Sequence, residues 1–193
     1  MPKNVTFDRT EIIGKVTDLF WRKGYHGTSM QDLVNATGLN RSSLYNSFGD
    51  KFSLFLESLK FYQEREQTLA FANLFKEKSV YAAIRSFFYA LIDSIESDQD
   101  HKGCYLINCT AELSATDEKV QKFLIDNQLM LRHTFAELIR TGQDNGEISV
   151  QKGADDLALY LFSSLQGLRL TGMLTDSRKE LNSVVDQIMM ALE

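Results

Sequence analysis

Apolar positions in this chain recur three and four residues apart, and glycine separates the segments that carry them. Ile12, Val16, Leu19 and Phe20 fall on one side of a helix predicted from about Phe7 or Asp8 to Lys23. A short helix follows at about Met30–Thr37, with Thr28 and Gln31 spaced as a capping box at its start. Another spans about Arg41–Ser47 behind Asn40, a good N-cap. Asp50 then caps a long helix reaching about Phe75. Further helices are predicted at about Val80–Ser97, Tyr105–Ser114, Asp117–Thr141, Ala154–Leu174 and Ser177–Leu192. Gly24, Gly27, Gly38, Gly49, Gly103, Gly142, Gly146 and Gly153 sit at the breaks, where helices commonly end. Val and Ile form no alternating runs that would predict strands. The pattern is all-α with about nine helices: three in an N-terminal unit, residues 1–50, and the rest in a larger helical unit, residues 51–193.

Composition agrees. With 193 residues the chain can bury a real core, and 44% hydrophobic content argues against disorder. The single proline, Pro2, leaves almost nothing to break a helix. MPKNVTFDRT lacks the apolar run of a signal peptide, and FFYALI at 87–92 is far too short to span a bilayer. Cys104 and Cys109 make no disulfide framework. A cytoplasmic protein with reduced thiols and no membrane partner is expected. The net charge of −5 is unevenly spread. Residues 1–60 carry eight basic and six acidic side chains, residues 61–193 thirteen and twenty. Only the N-terminal third can approach a polyanion.

Residues 28–48 read as helix, tight turn, helix. Gly38 can take the left-handed conformation of the turn, and Leu33, Leu39, Leu44 and Phe48 would face the first helix. This is the pattern of a helix-turn-helix, whose second helix enters the major groove. Arg41, Ser42, Ser43 and Asn46 lie on the outward and N-terminal side of that helix as candidates to read bases, with Asn40 just before it as a further candidate DNA contact. Tyr45 offers a hydroxyl to phosphate. The helix starts at Thr28–Ser29 and Asp50–Lys51 can hold phosphates, with Lys51 adding charge. A polar helix face that is merely solvated is the alternative.

Residues 24–54, GYHGTSMQDLVNATGLNRSSLYNSFGDKFSL, closely resemble the DNA-binding motif of TetR/AcrR-type repressors. The matches are Gly24, Tyr25, Thr28, Ser29, Gly38, Leu39, Ser42, Ser43, Leu44, Tyr45, Phe48, Lys51 and Leu54. Asn40 replaces the family's usual Ser/Thr cap, and Ser47 stands where many members have His. The resemblance implies a ligand-responsive repressor that binds a pseudo-palindromic operator as a homodimer and is released by a small molecule. It implies that Thr28, Ser29, Tyr45 and Lys51 hold the DNA backbone. The alternative is a redox-, electrophile- or ligand-sensing protein of the same fold with weak sequence-specific DNA binding.

For the larger region the resemblance implies ligand binding and dimerisation. Tyr160, Leu161, Ser164, Leu165 and Leu168 share helical spacing, as do Val185, Ile188 and Met189, and two such faces could build a four-helix interface. The same faces would equally serve packing within one subunit. The aromatics of residues 55–135, Phe71 and Phe75 among them, suit either a core or an apolar ligand pocket. Phe61, Phe88, Cys104, Ile107, Gln166 and Arg169 are the candidate ligand contacts, for an inducer that is largely apolar. Arg169 could instead pair with an acidic residue of its own subunit. GCYLINCTAEL, 103–113, is similar to a motif of one subset of the family, in some of which the cysteine senses electrophiles or oxidants. Cys104 at a helix start is the candidate sensor, because a helix dipole lowers a thiol pKa; a buried structural cysteine is the alternative. Glu112 would cap or pair within the core. His101 and Cys104 form one H-x-x-C with His133 distant, too little for a metal site. No catalytic motif is present, so no enzyme and no cofactor are expected.

Overall fold

The computed structural model describes residues 7–74 and 77–193, apart from the side chains of 70–73. Phe75 and the side chain of Phe71 therefore lie outside the described residues. Nine α-helices and no strand occur among them: α1 (Arg9–Lys23), α2 (Met30–Thr37), α3 (Arg41–Phe48), α4 (Lys51–Leu74), α5 (Val80–Ser97), α6 (Tyr105–Leu113), α7 (Glu118–Asp144), α8 (Ala154–Thr171) and α9 (Arg178–Met190).

The helix starts are fixed by short polar side chains. Asp8 accepts from the amides of Thr10 and Glu11, Asn40 from Ser43, Asp50 from Ser53 and Asp117 from Lys119 and Val120. Each satisfies amides that a helix leaves free in its first turn. At α2 the box lies one residue beyond the expected Thr28–Gln31 pair. Ser29 accepts from the Asp32 amide, and the Asp32 carboxylate accepts from the Ser29 amide. Thr28 is displaced from that role because its hydroxyl points back and donates to the Gly24 carbonyl at 2.7 Å. Gly38, at φ 71°, supplies the left-handed residue that turns α2 into α3.

Two buried clusters organise the molecule. One joins Ile12, Val16 and Phe20 of α1 and Leu33, Leu44 and Phe48 of α2–α3 to Leu54, Phe55, Leu59 and Tyr62 of α4. It extends to Tyr105, Cys109 and Leu113 of α6 and Val120 of α7. The other joins α5, α7, α8 and α9 through residues such as Ile84, Phe88, Ile139, Leu161 and Val185. The N-terminal core thus borrows the first half of α4 and the whole inner face of α6; the two clusters do not part at residue 50. α4 runs unbroken from one into the other, since Leu74 at its far end belongs to the second.

Candidate nucleic-acid interface and effector cavity

Helix α3 buries only Leu44 and Phe48. Arg41, Ser42, Tyr45 and Asn46 face outward, Tyr45 at 48% exposure, and Ser43 is half-buried. None of these five side chains makes a hydrogen bond or ion pair among the described residues. That is unusual in this unit, where other cations are engaged. Arg22 pairs with Asp18 at 2.8 Å and Asp100 at 2.7 Å, and Lys23 with Asp32 at 2.8 Å. The Lys23 and Ser29 hydrogen bonds hold the Asp32 carboxyl well below the usual carboxylate range. Lys51, at the start of α4, places its ammonium 4.3 Å over the Tyr25 ring.

Arg9 fixes where α3 points, a role the sequence did not disclose. Its guanidinium grips Glu57 of α4 through two bonds, at 3.0 and 2.7 Å, and donates to the Ser47 carbonyl at 2.8 Å. That carbonyl is in the last turn of α3, where no amide follows to satisfy it. The same group lies 4.3 Å from the Phe48 ring centre. A second anchor comes from α6. Glu112 accepts from the amides of Tyr25 at 3.0 Å and His26 at 2.8 Å, in the turn between α1 and α2. Gly24 there has φ 72°, and a Cβ on it would lie 2.7 Å from a Glu112 oxygen. Glycine is required twice over, by conformation and by space.

The expected backbone-contacting set is therefore unequal. Ser29, Tyr45 and Lys51 lie at or near the surface, whereas Thr28 is 1% exposed with its hydroxyl already bonded. Burial removes the Thr28 side chain from any phosphate. Asn40 is exposed but its Oδ1 serves as the α3 cap.

Between α4, α5, α6, α7 and α8 lies a cleft of adjoining cavities with Glu66 and Arg169 at its centre. Arg169 donates to Glu66 at 3.1 Å, the intrasubunit pairing foreseen as its alternative role. Cys104, Gln166 and Arg169 line the cleft, joined by Tyr62, Phe87 and Leu106. Three expected contacts are corrected. Phe61 packs toward α1 near Gly14, Phe88 is wholly buried in the C-terminal core, and Ile107 packs against the N-terminal cluster. In each case the neighbouring residue, Tyr62, Phe87 or Leu106, lines the cleft instead. Successive helical residues point about 100° apart, so a one-residue error turns a wall position into a core position.

Cys104 is the N-cap of α6, buried, and its sulfur accepts from the Tyr62 hydroxyl at 3.7 Å. Burial and the neighbouring Cys104 push the Tyr62 phenol far above its ordinary value. Cys109 is buried in the N-terminal cluster, and burial pushes its thiol up as well. Both cysteines are free.

The expected interface residues divide sharply. Leu161, Leu165 and Leu168 of α8 and Val185, Ile188 and Met189 of α9 are buried inside the subunit, so they are corrected to core. Tyr160 is exposed and Ser164 half-buried. The outward faces instead carry Leu159, Ser163, Gly167 and Leu170 on α8 and Val184 and Met190 on α9. A Cβ on Gly167 would meet nothing within 4 Å.

Comparison with known proteins accounts for both halves. The profile for bacterial regulatory proteins of the tetR family matches residues 12–58, and that for the tetracyclin repressor-like C-terminal domain matches residues 81–188. The chain is 33% identical to the HTH-type transcriptional repressor ComR of Escherichia coli, over 86% of this chain and 79% of ComR. It is 29% identical to the HTH-type transcriptional regulator YezE of Bacillus subtilis over the full length of both. Among solved structures, a cysteine mutant of the TetR family regulator CifR superposes with a TM-score of 0.84 at 25% identity, covering 100% of both chains. That structure holds CifR on a 26 bp operator duplex. The regulatory protein TetR from Rhodobacter sphaeroides shares the fold, with a TM-score of 0.86 at 19% identity over 97% of this chain and 100% of that one. A free-standing polar face on α3, a cleft further along the helical body and matches to both family profiles converge: this chain belongs to the tetR family of bacterial regulatory proteins.

Proposed function

We propose that the protein is a cytoplasmic homodimeric repressor that places α3 of each subunit in successive major grooves of a pseudo-palindromic operator. The observation that carries this reading is the hydrogen-bonding capacity of Arg41, Ser42, Tyr45 and Asn46, exposed and unspent among the described residues. The neighbouring cations Arg22 and Lys23, by contrast, are paired with Asp18 and Asp32. In the proposed complex Arg41 reaches a guanine edge, Ser42, Ser43 and Asn46 supply shorter base contacts, and Tyr45, Lys51 and the α2 start at Ser29 hold phosphates. Two copies meet through the outward faces of α8 and α9, where Ser163 and Gly167 let a partner helix approach closely, setting the heads about 34–36 Å apart. A small molecule in the cleft around Arg169 favours a different spacing, transmitted by α4 as a rigid lever. It can shift that equilibrium only by its differential affinity for the two states. Cys104, walled in beside Tyr62, serves here as a ligand contact rather than an oxidant-facing thiol.

A gel shift with the DNA upstream of the protein's own gene tests this reading. Specific binding is expected, with Arg41→Ala relaxing base choice at one position by about 1–3 kcal/mol. Lys51→Ala should weaken all sequences alike and lower the salt dependence by about one counterion. Binding no tighter than to random duplex would defeat the proposal.

A further inference from the structure

One side chain of the DNA-reading unit belongs to the wall of the effector cleft. A cavity of about 300 Å³ is bounded by Trp21 of α1 together with residues of α4, α5, the 98–104 loop and α8. Arg169, on the same wall, has five N–H donors and, among the described residues, uses one of them, to Glu66. Lys102 contributes a second donor group to that wall. Arg65, Lys102 and Arg169 face Glu66 and Asp98 on this wall, and Lys102 is also paired with Asp18 at 3.0 Å. The acids are already occupied, Glu66 between the two arginines and Asp98 by the Gly103 amide at 2.9 Å. The remaining wall includes Leu91, Ile95 and Met173. Unused guanidinium donors beside an apolar surface fit a small carboxylate with an apolar body.

We propose that this cavity binds a small organic carboxylate, whose head group takes the spare donors of Arg169 and Lys102 while its body rests on Leu91, Ile95 and Met173. The site also contains its own link to DNA. Lys102 pairs with Asp18 of α1 at 3.0 Å and lies 4.3 Å over the Trp21 ring, while Arg22 pairs with Asp100. A carboxylate that draws Lys102 away from Asp18 loosens α1 from the 98–104 loop. This consequence, though not the binding itself, rests on the repressor reading above. By linkage, operator DNA must then weaken carboxylate binding by the factor by which the carboxylate weakens operator binding.

Trp21 is the only tryptophan in the chain, so intrinsic fluorescence of the full-length protein reports the site directly. Acetate, hexanoate, benzoate and phenylacetate would be titrated at constant ionic strength, with hexanamide and phenylacetamide as neutral counterparts. At least one carboxylate should give a saturable change, with its amide about tenfold weaker or more. By calorimetry, Arg169→Gln should weaken that acid about tenfold or more, as expected for a lost bond to a charged group. Lys102→Met supplies the same comparison if Glu66, left without Arg169, prevents folding. No saturable response to any of the four acids, equal binding of acid and amide, or unchanged affinity in the variants that fold would each overturn the inference. A protein that shifts its operator but ignores the acids overturns this site alone. One that binds an acid but no operator keeps the site and overturns the repressor reading.

Discussion

Helices α3 and α8 both present side chains at helical spacing, but different forces hold them. α3 is eight residues long and buries two of them. Its position comes from the Asn40 cap, the left-handed Gly38 and the Arg9 grip on the Ser47 carbonyl. α8 is 18 residues long and buries six, Leu157, Ala158, Leu161, Phe162, Leu165 and Leu168. It needs no side-chain cap, and Gly153 at its start provides none. Where burial is plentiful, packing defines the element; where a surface must stay free for a partner, local polar chemistry does. An 8-residue helix would be marginal without such contacts.

Breaking the two helices should therefore have different signatures. The largest effect is expected from Leu161→Ala, fully buried in the C-terminal core, which should lower unfolding free energy by about 2–5 kcal/mol in denaturant titration. Leu170→Glu, on the outward face of the same helix, should leave helix content intact and raise the dimer dissociation constant about tenfold or more, about 1.4 kcal/mol, by sedimentation. If Leu161→Ala dissociated the subunits without unfolding them, the inside and outside of α8 would have to be exchanged. Asn40→Ala should cost about 1 kcal/mol by removing a cap, with operator affinity falling further than global stability because α3 alone is affected.

The smallest effect concerns acid. Burial pushes the Asp18 carboxyl up, but hydrogen bonds from Arg22 and Lys102 outweigh it, so it titrates below its ordinary 3.8. A carboxylate depressed in the folded state contributes stabilisation above its unfolded value, lost as pH falls through the lower folded one. Trp21 emission should therefore change as pH falls below about 4, and Asp18→Asn should flatten that change. Persistence of the full transition in the variant would assign it to another group.

The same contrast explains what the sequence disclosed. The α3 neighbourhood was legible because its signals are local: Asn40, Gly38 and Asp50 each act within a few residues of themselves. Even there the α2 capping box slipped by one, since Thr28 and Ser29 are both competent caps and only the Gly24 carbonyl decides between them. In α8 and α9, apolar side chains occupy both faces, so spacing alone could not say which points inward. FFYALI poses the same difficulty at Phe87 and Phe88: adjacent rings of equal hydrophobicity, one in the cleft and one in the core. Arg9 and Glu112 were beyond reach for another reason. Their partners lie 38 to 48 and 86 to 87 residues away, and nothing in a one-dimensional pattern pairs them.

Glu112 closing on the α1–α2 turn has a bearing on modular exchange. A chimera that joins residues 1–50 of this protein to the body of a relative would carry the recognition surface but leave its lock behind on α6. The transplanted head would then rest on a foreign helix, its Tyr25 and His26 amides unsatisfied unless that helix places an acceptor within reach of Gly24. Transferring operator preference between family members is thus a matter of moving two sequence segments together, not one.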